Sequence, residues 1–220
     1  MDLDGTMLDT AADLAAAANA MRADAGLPPL PRERIEQFVG KGLDVLVHRA
    51  MTDSLDGTLE PRGFAAARDA FARHYAVENG RHAQPYPGAL AGLQALRDMR
   101  LRLACVTNKP GDFTWPLLQR WALDRQFDLI VTADAVGRRK PDPLPMLHVA
   151  QRFALPAECV VVIGDSSNDV AAARAAGMPV IAVRYGYNEG RDPDTLDADA
   201  LVDSLLEAAA LIDPQEPLAS

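Results

Sequence analysis

The sequence predicts an α/β protein, a doubly wound parallel sheet carrying a small all-helical cap. Three observations predict it. Residues 9–80 hold helical periodicity and no strand-like run. From Pro85-Tyr86-Pro87-Gly88 onward, short apolar runs alternate with amphipathic segments, the pattern of a parallel sheet covered on both faces. Two of those runs stop at polar clusters, Thr107-Asn108-Lys109 after Val106 and Gly164-Asp165-Ser166-Ser167-Asn168-Asp169 after Ile163, where such sheets bind their ligands.

In order, Leu8, Leu14, Ala17, Ala18 and Met21 recur at helical spacing, so 9–25 is a helix that Asp9 or Thr10 caps and Gly26, Pro28 and Pro29 end. Pro31 opens a short helix reaching about Phe38. Gly40-Lys41-Gly42 breaks the chain, and helices follow over 43–51 and 59–79. Past Gly88, helices are expected over 90–99, 113–121, 144–153, 169–176 and 199–211. Strands are expected over 101–106, 127–132, 159–163 and 180–183. The Pro-containing tail after 211 is expected to be loose.

At 220 residues the chain has length for one large domain, or one domain with a small insert. A net charge of -9 argues against a nucleic-acid surface, which needs clustered Lys and Arg. No apolar run matches a membrane span and no basic leader opens the chain, so the cytoplasm is the expected location. Cys105 and Cys159 lie in apolar runs and are expected to be buried free thiols. His48, His74, His82 and His148 lack partners at metal-ligand spacing and are expected to do no chemistry.

The opening Asp2-Leu3-Asp4-Gly5-Thr6 carries two carboxylates two residues apart. In extended backbone, residues i and i+2 point to one side, so Asp2 and Asp4 face one place. That arrangement suits a divalent cation, and it allows one carboxylate to be nucleophile and the other acid. Gly5 permits the turn that leaves them at a strand end.

Asp2-Leu3-Asp4-Gly5-Thr6, Thr107-Asn108, Lys140-Pro141 and the 164–169 cluster, in that order, resemble the four motifs of the haloacid dehalogenase superfamily of phosphatases. The resemblance spans nearly the whole chain. It implies a Rossmann-like core from 1–8 and 81–220, with 9–80 as the helical cap. It implies Asp2 as nucleophile through an aspartyl-phosphate, and Asp4 as the acid that protonates the leaving oxygen and then activates water. An acid at that second position marks phosphatases rather than dehalogenases. Mg²⁺ would be held by Asp2, the backbone carbonyl of Asp4 and Asp165, hard oxygen donors that suit the ion. Thr107 and Asn108 would hold the phosphoryl group, Lys140 would neutralise charge between nucleophile and phosphate, and Asp169 would orient Lys140 or a metal-bound water. Lys109 fits the motif less well and is left out of catalysis.

In this superfamily the cap reads the leaving group. Gly40, Lys41 and Gly42, with Arg49 on the same helix face, are the candidates to receive a carboxylate beside the phosphate. Val39-Gly40-Lys41-Gly42, Pro85-Tyr86-Pro87-Gly88, Val106-Thr107-Asn108-Lys109-Pro110 and Tyr185-Gly186-Tyr187-Asn188-Glu189-Gly190 resemble the bacterial phosphoglycolate phosphatases. That implies a small phosphorylated metabolite, 2-phosphoglycolate, as substrate, with sugar phosphatases, pyrophosphatases and β-phosphoglucomutase as alternatives. The family's nucleophile loop follows a full apolar strand, so the first core strand is expected to be largely missing here. Two expectations follow: a true start further upstream, or a short form that binds metal or phosphate and catalyses weakly.

Overall fold

The computed structural model describes residues 1–212, so the expectation of a loose tail lies outside the described residues. Residues 1–3 lie between two sets of parallel strands, with Leu3 at a bend. A turn at Gly5, whose φ is 87°, follows, with Met7 N and Leu8 N both donating to the Leu3 carbonyl at 3.0 Å. β1 (Leu8–Asp9) leads into four helices, α1 (Ala11–Asp24), α2 (Arg32–Glu36), α3 (Leu43–Thr52) and α4 (Pro61–Glu78). β2 (Gln84–Pro85) returns antiparallel to β1, so one short ribbon carries the chain out to the helices and back. The buried carboxylate of Asp13 fastens the return, accepting from Gly80 N at 2.7 Å, His82 N at 2.8 Å and Ala83 N at 3.2 Å.

Then α5 (Ala89–Asp98), β3 (Ala104–Val106), α6 (Gly111–Arg120), β4 (Leu129–Val131), α7 (Leu144–Phe153), β5 (Val162–Gly164), α8 (Ser167–Ala176), β6 (Val180–Val183), β7 (Ala200–Val202) and α9 (Leu205–Leu211) follow. β3 pairs with β4, and β5–β6–β7 pair in that order, all parallel. Residues 1–3 join the two sets. Val106 N donates to the Met1 carbonyl and Asp2 N donates to the Ile163 carbonyl, each at 2.9 Å. The first strand is therefore as short as the sequence suggests, yet its backbone bridges both neighbours.

Side chains alternate across the sheet as a period of two requires. Cys105, Ile181 and Val183 meet α5, α6 and α9 on one face, whereas Ala104, Val106 and Val180 meet α7 and α8 on the other. The α1–α4 helices bury a separate core around Met21, Phe38, Val47 and Phe71. The strands end together, placing residues 4–6, Thr107 and Asp165 at one sheet edge under the α1–α4 cluster.

Three expectations need correction. The 159–163 strand occupies Val162–Gly164, because Pro156 starts a 3₁₀ turn over Ala157–Cys159 and Pro179 has no N–H to extend the β5–β6 ladder. Cys159 is therefore exposed, while Cys105 is buried and its thiol is pushed up to about 12 by burial. The 199–211 helix is two elements: Ala200–Val202 pairs with β6, and Ser204 caps α9 by accepting from Glu207 N at 3.1 Å.

Candidate active site

Two buried lysines divide the Asp2-Leu3-Asp4 loop between them. Lys140 Nζ donates to Asp2 Oδ1 at 2.8 Å, Asp169 Oδ1 at 2.7 Å and the Val106 carbonyl at 2.8 Å. An ammonium has three hydrogens, and here each has an acceptor. Asp169 is fixed by α8 itself, its Oδ2 accepting from Ser166 Oγ at 2.6 Å and Ser166 N at 3.2 Å in a capping box. Asp169 is thus in direct contact with Lys140.

Lys109 Nζ lies on the other side, 2.9 Å and 2.8 Å from Asp4 Oδ1 and Oδ2. Thr10 Oγ1 also donates to Asp4 Oδ1, at 2.7 Å. Lys109, left out of catalysis on the motif alone, therefore stands at the site. The signal was its place directly after Thr107-Asn108, at the end of β3. Both lysines are buried, and their neighbouring carboxylates hold them above the ordinary lysine range against the desolvation that lowers it.

Asp165 follows β5 immediately. Its Oδ1 accepts from Thr6 Oγ1 at 2.6 Å and its Oδ2 from Tyr187 N at 2.7 Å. Glycine is required on both sides of this carboxylate, since a Cβ on Gly5 would sit 2.3 Å from Asp165 Oδ2 and one on Gly186 2.7 Å from the same atom. Burial, then repulsion from Asp169 and Asp2, pushes Asp165 well above the carboxylate range. Asp2 is raised to about 6, mainly by burial, with Lys140 opposing and Asp169 adding.

Asp2, Asp165 and Asp169 each offer an oxygen, and these oxygens lie within 4.8 Å of one another. The donor set fits a hard divalent cation: oxygen ligands, mutually repelling carboxylates, and a cradle kept open by glycine. The ion pairs agree, because the lysines at the site, Lys109 and Lys140, pair with Asp4, Asp2 and Asp169 and leave Asp165 without a cation in salt-bridge contact among the described residues. The Asp4 side chain stands outside this group, held by Lys109 and Thr10, so the expected part for Asp4 in metal binding falls to its backbone carbonyl alone.

The phosphoryl-binding and cap candidates separate. Thr107 is buried beside the cavity, its Oγ1 accepting from Lys109 N at 3.1 Å. Asn108 Nδ2 is engaged by the Gly40 carbonyl at 3.0 Å and the Lys140 carbonyl at 2.9 Å, which pins the 40–42 loop against the site. Gly40 and Gly42 line the cavity. Lys41 and Arg49, expected to receive a substrate carboxylate, pair here with Glu189, at 2.6 Å and 2.7 Å. Glu189 lies in the loop after β6, a partner that sequence spacing could not supply. The same loop brings Tyr187, whose hydroxyl accepts from Thr10 N and Ala11 N and donates to Asp9 Oδ1 at 2.6 Å. His48 stacks on Phe64 and His74 pairs with Asp24, away from the site as expected.

What remains between sheet edge and helices is a cavity of about 50 Å³. Asp2, Asp4, Thr107 and Lys109 form its floor, and Leu46, Phe71, Tyr75 and Phe113 are among its walls. Paired carboxylates against ammonium groups, at the carboxyl ends of parallel strands, are equipped to bind an anionic group and attack it.

Among the described residues, no helix is long and apolar enough to cross a membrane. The haloacid dehalogenase-like hydrolase family matches residues 1–183. The chain is 48% identical over 212 residues to a phosphoglycolate phosphatase of Nitrosospira multiformis, covering 96% of this chain and 93% of that one. It is 46% identical over 215 residues to a plasmid-borne phosphoglycolate phosphatase of Cupriavidus necator, covering 97% and 92%. A crystal structure of a predicted phosphoglycolate phosphatase from Haemophilus somnus superposes with a TM-score of 0.89 at 29% identity, covering 95% and 94%. With its carboxylates and lysines arranged at one sheet edge and relatives matched nearly end to end, this chain belongs to the haloacid dehalogenase-like hydrolase family.

Proposed function

We propose that this chain is a Mg²⁺-dependent phosphomonoesterase that hydrolyses 2-phosphoglycolate to glycolate and phosphate through an aspartyl-phosphate on Asp2. The observation that carries the reading is the junction of Asp2, Asp165 and Asp169 with Lys140 bridging Asp2 to Asp169. Relatives of 46–48% identity that bear the name phosphoglycolate phosphatase support the substrate.

Asp2 attacks phosphorus while the bond to the leaving oxygen breaks. Asp4 gives that oxygen a proton, releasing glycolate. Asp4 then takes a proton from water, which attacks the aspartyl-phosphate and returns Asp2 and phosphate. Lys140 holds Asp2 in place and offsets charge as the phosphoryl group arrives. Thr107 supplies a hydroxyl toward the phosphoryl oxygens. Asp2 and Asp165, with the Asp4 carbonyl, would hold Mg²⁺, which when bound offsets phosphoryl charge. Asp169 keeps its place on Lys140.

The test is phosphate release from a panel of 2-phosphoglycolate, hexose phosphates and pyrophosphate, with Mg²⁺ and with EDTA. The expected result is the highest kcat/KM on 2-phosphoglycolate and no turnover in EDTA. A hexose phosphate or pyrophosphate preferred by tenfold would replace the substrate assignment.

A further inference from the structure

The leaving group needs a reader, and the cap cations that sequence spacing offers, Lys41 and Arg49, are engaged by Glu189. Among the described residues that line the cavity, Lys109 carries the only positive charge. It is also incompletely satisfied. Lys140 bonds three separate acceptors, whereas Lys109 Nζ has the two oxygens of one carboxylate and then meets the face of Tyr75, 4.9 Å from the ring centroid. Its side chain is only 4% exposed, so the remaining hydrogen has no ready access to bulk water.

Tyr75 is the second observation. It is 1% exposed and lines the cavity; its hydroxyl lies beside the Lys109 ammonium but has no well-formed hydrogen bond to any described residue. A buried hydroxyl left so costs stability unless something completes it. Its ring is wedged between Phe71 at 5.4 Å and Phe113 at 5.0 Å, centroid to centroid, so it is not free to turn out to solvent. Burial pushes the phenol above its ordinary range, which keeps it a donor.

Chemistry locates what these two groups would meet. Asp4 protonates the leaving oxygen, so a substituent one carbon from that oxygen lies beside Asp4, and Lys109 is bonded to Asp4. We propose that Lys109 and Tyr75 form the leaving-group subsite, Lys109 pairing with a carboxylate one carbon from the ester oxygen and the Tyr75 hydroxyl donating to it. The inference rests on the phosphatase reading and deepens it: the site selects small phosphoesters with an acidic leaving group.

The experiment compares kcat/KM for 2-phosphoglycolate and for its uncharged counterpart, ethylene glycol monophosphate, in wild type, Lys109→Met and Tyr75→Phe. Taking the ratio removes whatever Lys109→Met does to Asp4 with either ester. Wild type is expected to favour the carboxylate ester by about 100-fold or more, since sites built around a polar partner reject analogues lacking it. Lys109→Met is expected to bring the ratio within about tenfold of unity. Tyr75→Phe is expected to lower it by about tenfold, the scale of one hydrogen bond to a charged group, through KM and with inhibition by inorganic phosphate unchanged. Tyr75→Phe removes one unpartnered atom, so it tests the inference even where Lys109→Met does not fold. A wild type without preference, or ratios unchanged in Tyr75→Phe and in any folded Lys109→Met, overturns the inference while hydrolysis of both esters leaves the phosphatase reading standing. Failure of wild type on both esters removes the phosphatase reading instead. The subsite is then decided by thermal shifts with glycolate against ethylene glycol: a glycolate-specific shift weakened in Tyr75→Phe upholds it, and no such shift overturns it.

Discussion

Lys140 and Lys109 are both buried, and each is bonded to one carboxylate of the same five-residue loop. Their surroundings differ. Lys140 sits among Asp2, Asp169 and a carbonyl, closed on every side by the core. Lys109 has one carboxylate, an aromatic face and a cavity. The difference separates two tasks within a few ångströms. On the Lys140 side stand the groups proposed for phosphoryl transfer, which would be the same whatever the substrate. On the Lys109 side a charge faces the space where substrates differ.

The largest expected effect is on the Lys140 side. Asp2→Asn removes the proposed nucleophile and is expected to lower kcat by about 10³-fold or more on every ester, measured as steady-state phosphate release. Activity within tenfold of wild type would remove Asp2 from that role. Lys140→Met leaves Asp2 and Asp169 buried without their cation. It is expected to lose turnover on charged and neutral esters alike, and about 3 kcal/mol of stability by denaturant melts, as broken buried pairs do. A change confined to one class of ester would erase the contrast with Lys109.

Glu189→Gln tests the cap cations. Glu189 is 7% exposed and its carboxylate stays ionised because Lys41 and Arg49 hold it below the usual range, against burial. The glutamine keeps the shape and loses the charge, so a stability loss of about 1–3 kcal/mol is expected, with the preference for a carboxylate leaving group unchanged. A stronger preference in the variant would mean that freed Lys41 or Arg49 reads the substrate after all.

The smallest effect is on pH dependence. Asp2 titrates near 6 in the fold and near 4 in an unfolded chain, and Asp165 is raised in the same sense. Raised carboxylates favour the fold below about pH 4, and that contribution is lost as pH rises through about 6. Mg²⁺ competes with those protons, so the Tm increase on adding Mg²⁺ is expected to be larger at pH 7.5 than at pH 5.5. An increase equal at the two values would place the ion on other ligands.

Much of the site was legible because strand ends announce themselves. Apolar runs stopping at Thr107 and Asp165 give the sheet edge, and the spacing of Asp2 and Asp4 gives the loop. Tertiary choices were not legible. Nothing in the neighbourhood of Lys41 or Arg49 names Glu189, which lies 140 residues from Arg49. Lys109 fits the motif less well in sequence, and only the turn after β3 swings it onto Asp4. Ala200–Val202 hides within an Ala-Leu pattern that suits a helix as well as an edge strand, and only the open side of β6 decides between them.

Asp2, held by Lys140, is the proposed acceptor of the phosphoryl group. Rapid quench of enzyme with 2-phosphoglycolate and Mg²⁺, followed by mass analysis of the peptide containing Asp2, tests it most directly. A transient gain of one phosphoryl group on Asp2 is expected, appearing before phosphate and absent in Asp2→Asn. Phosphate released with no such species, or the label on another residue, would contradict it.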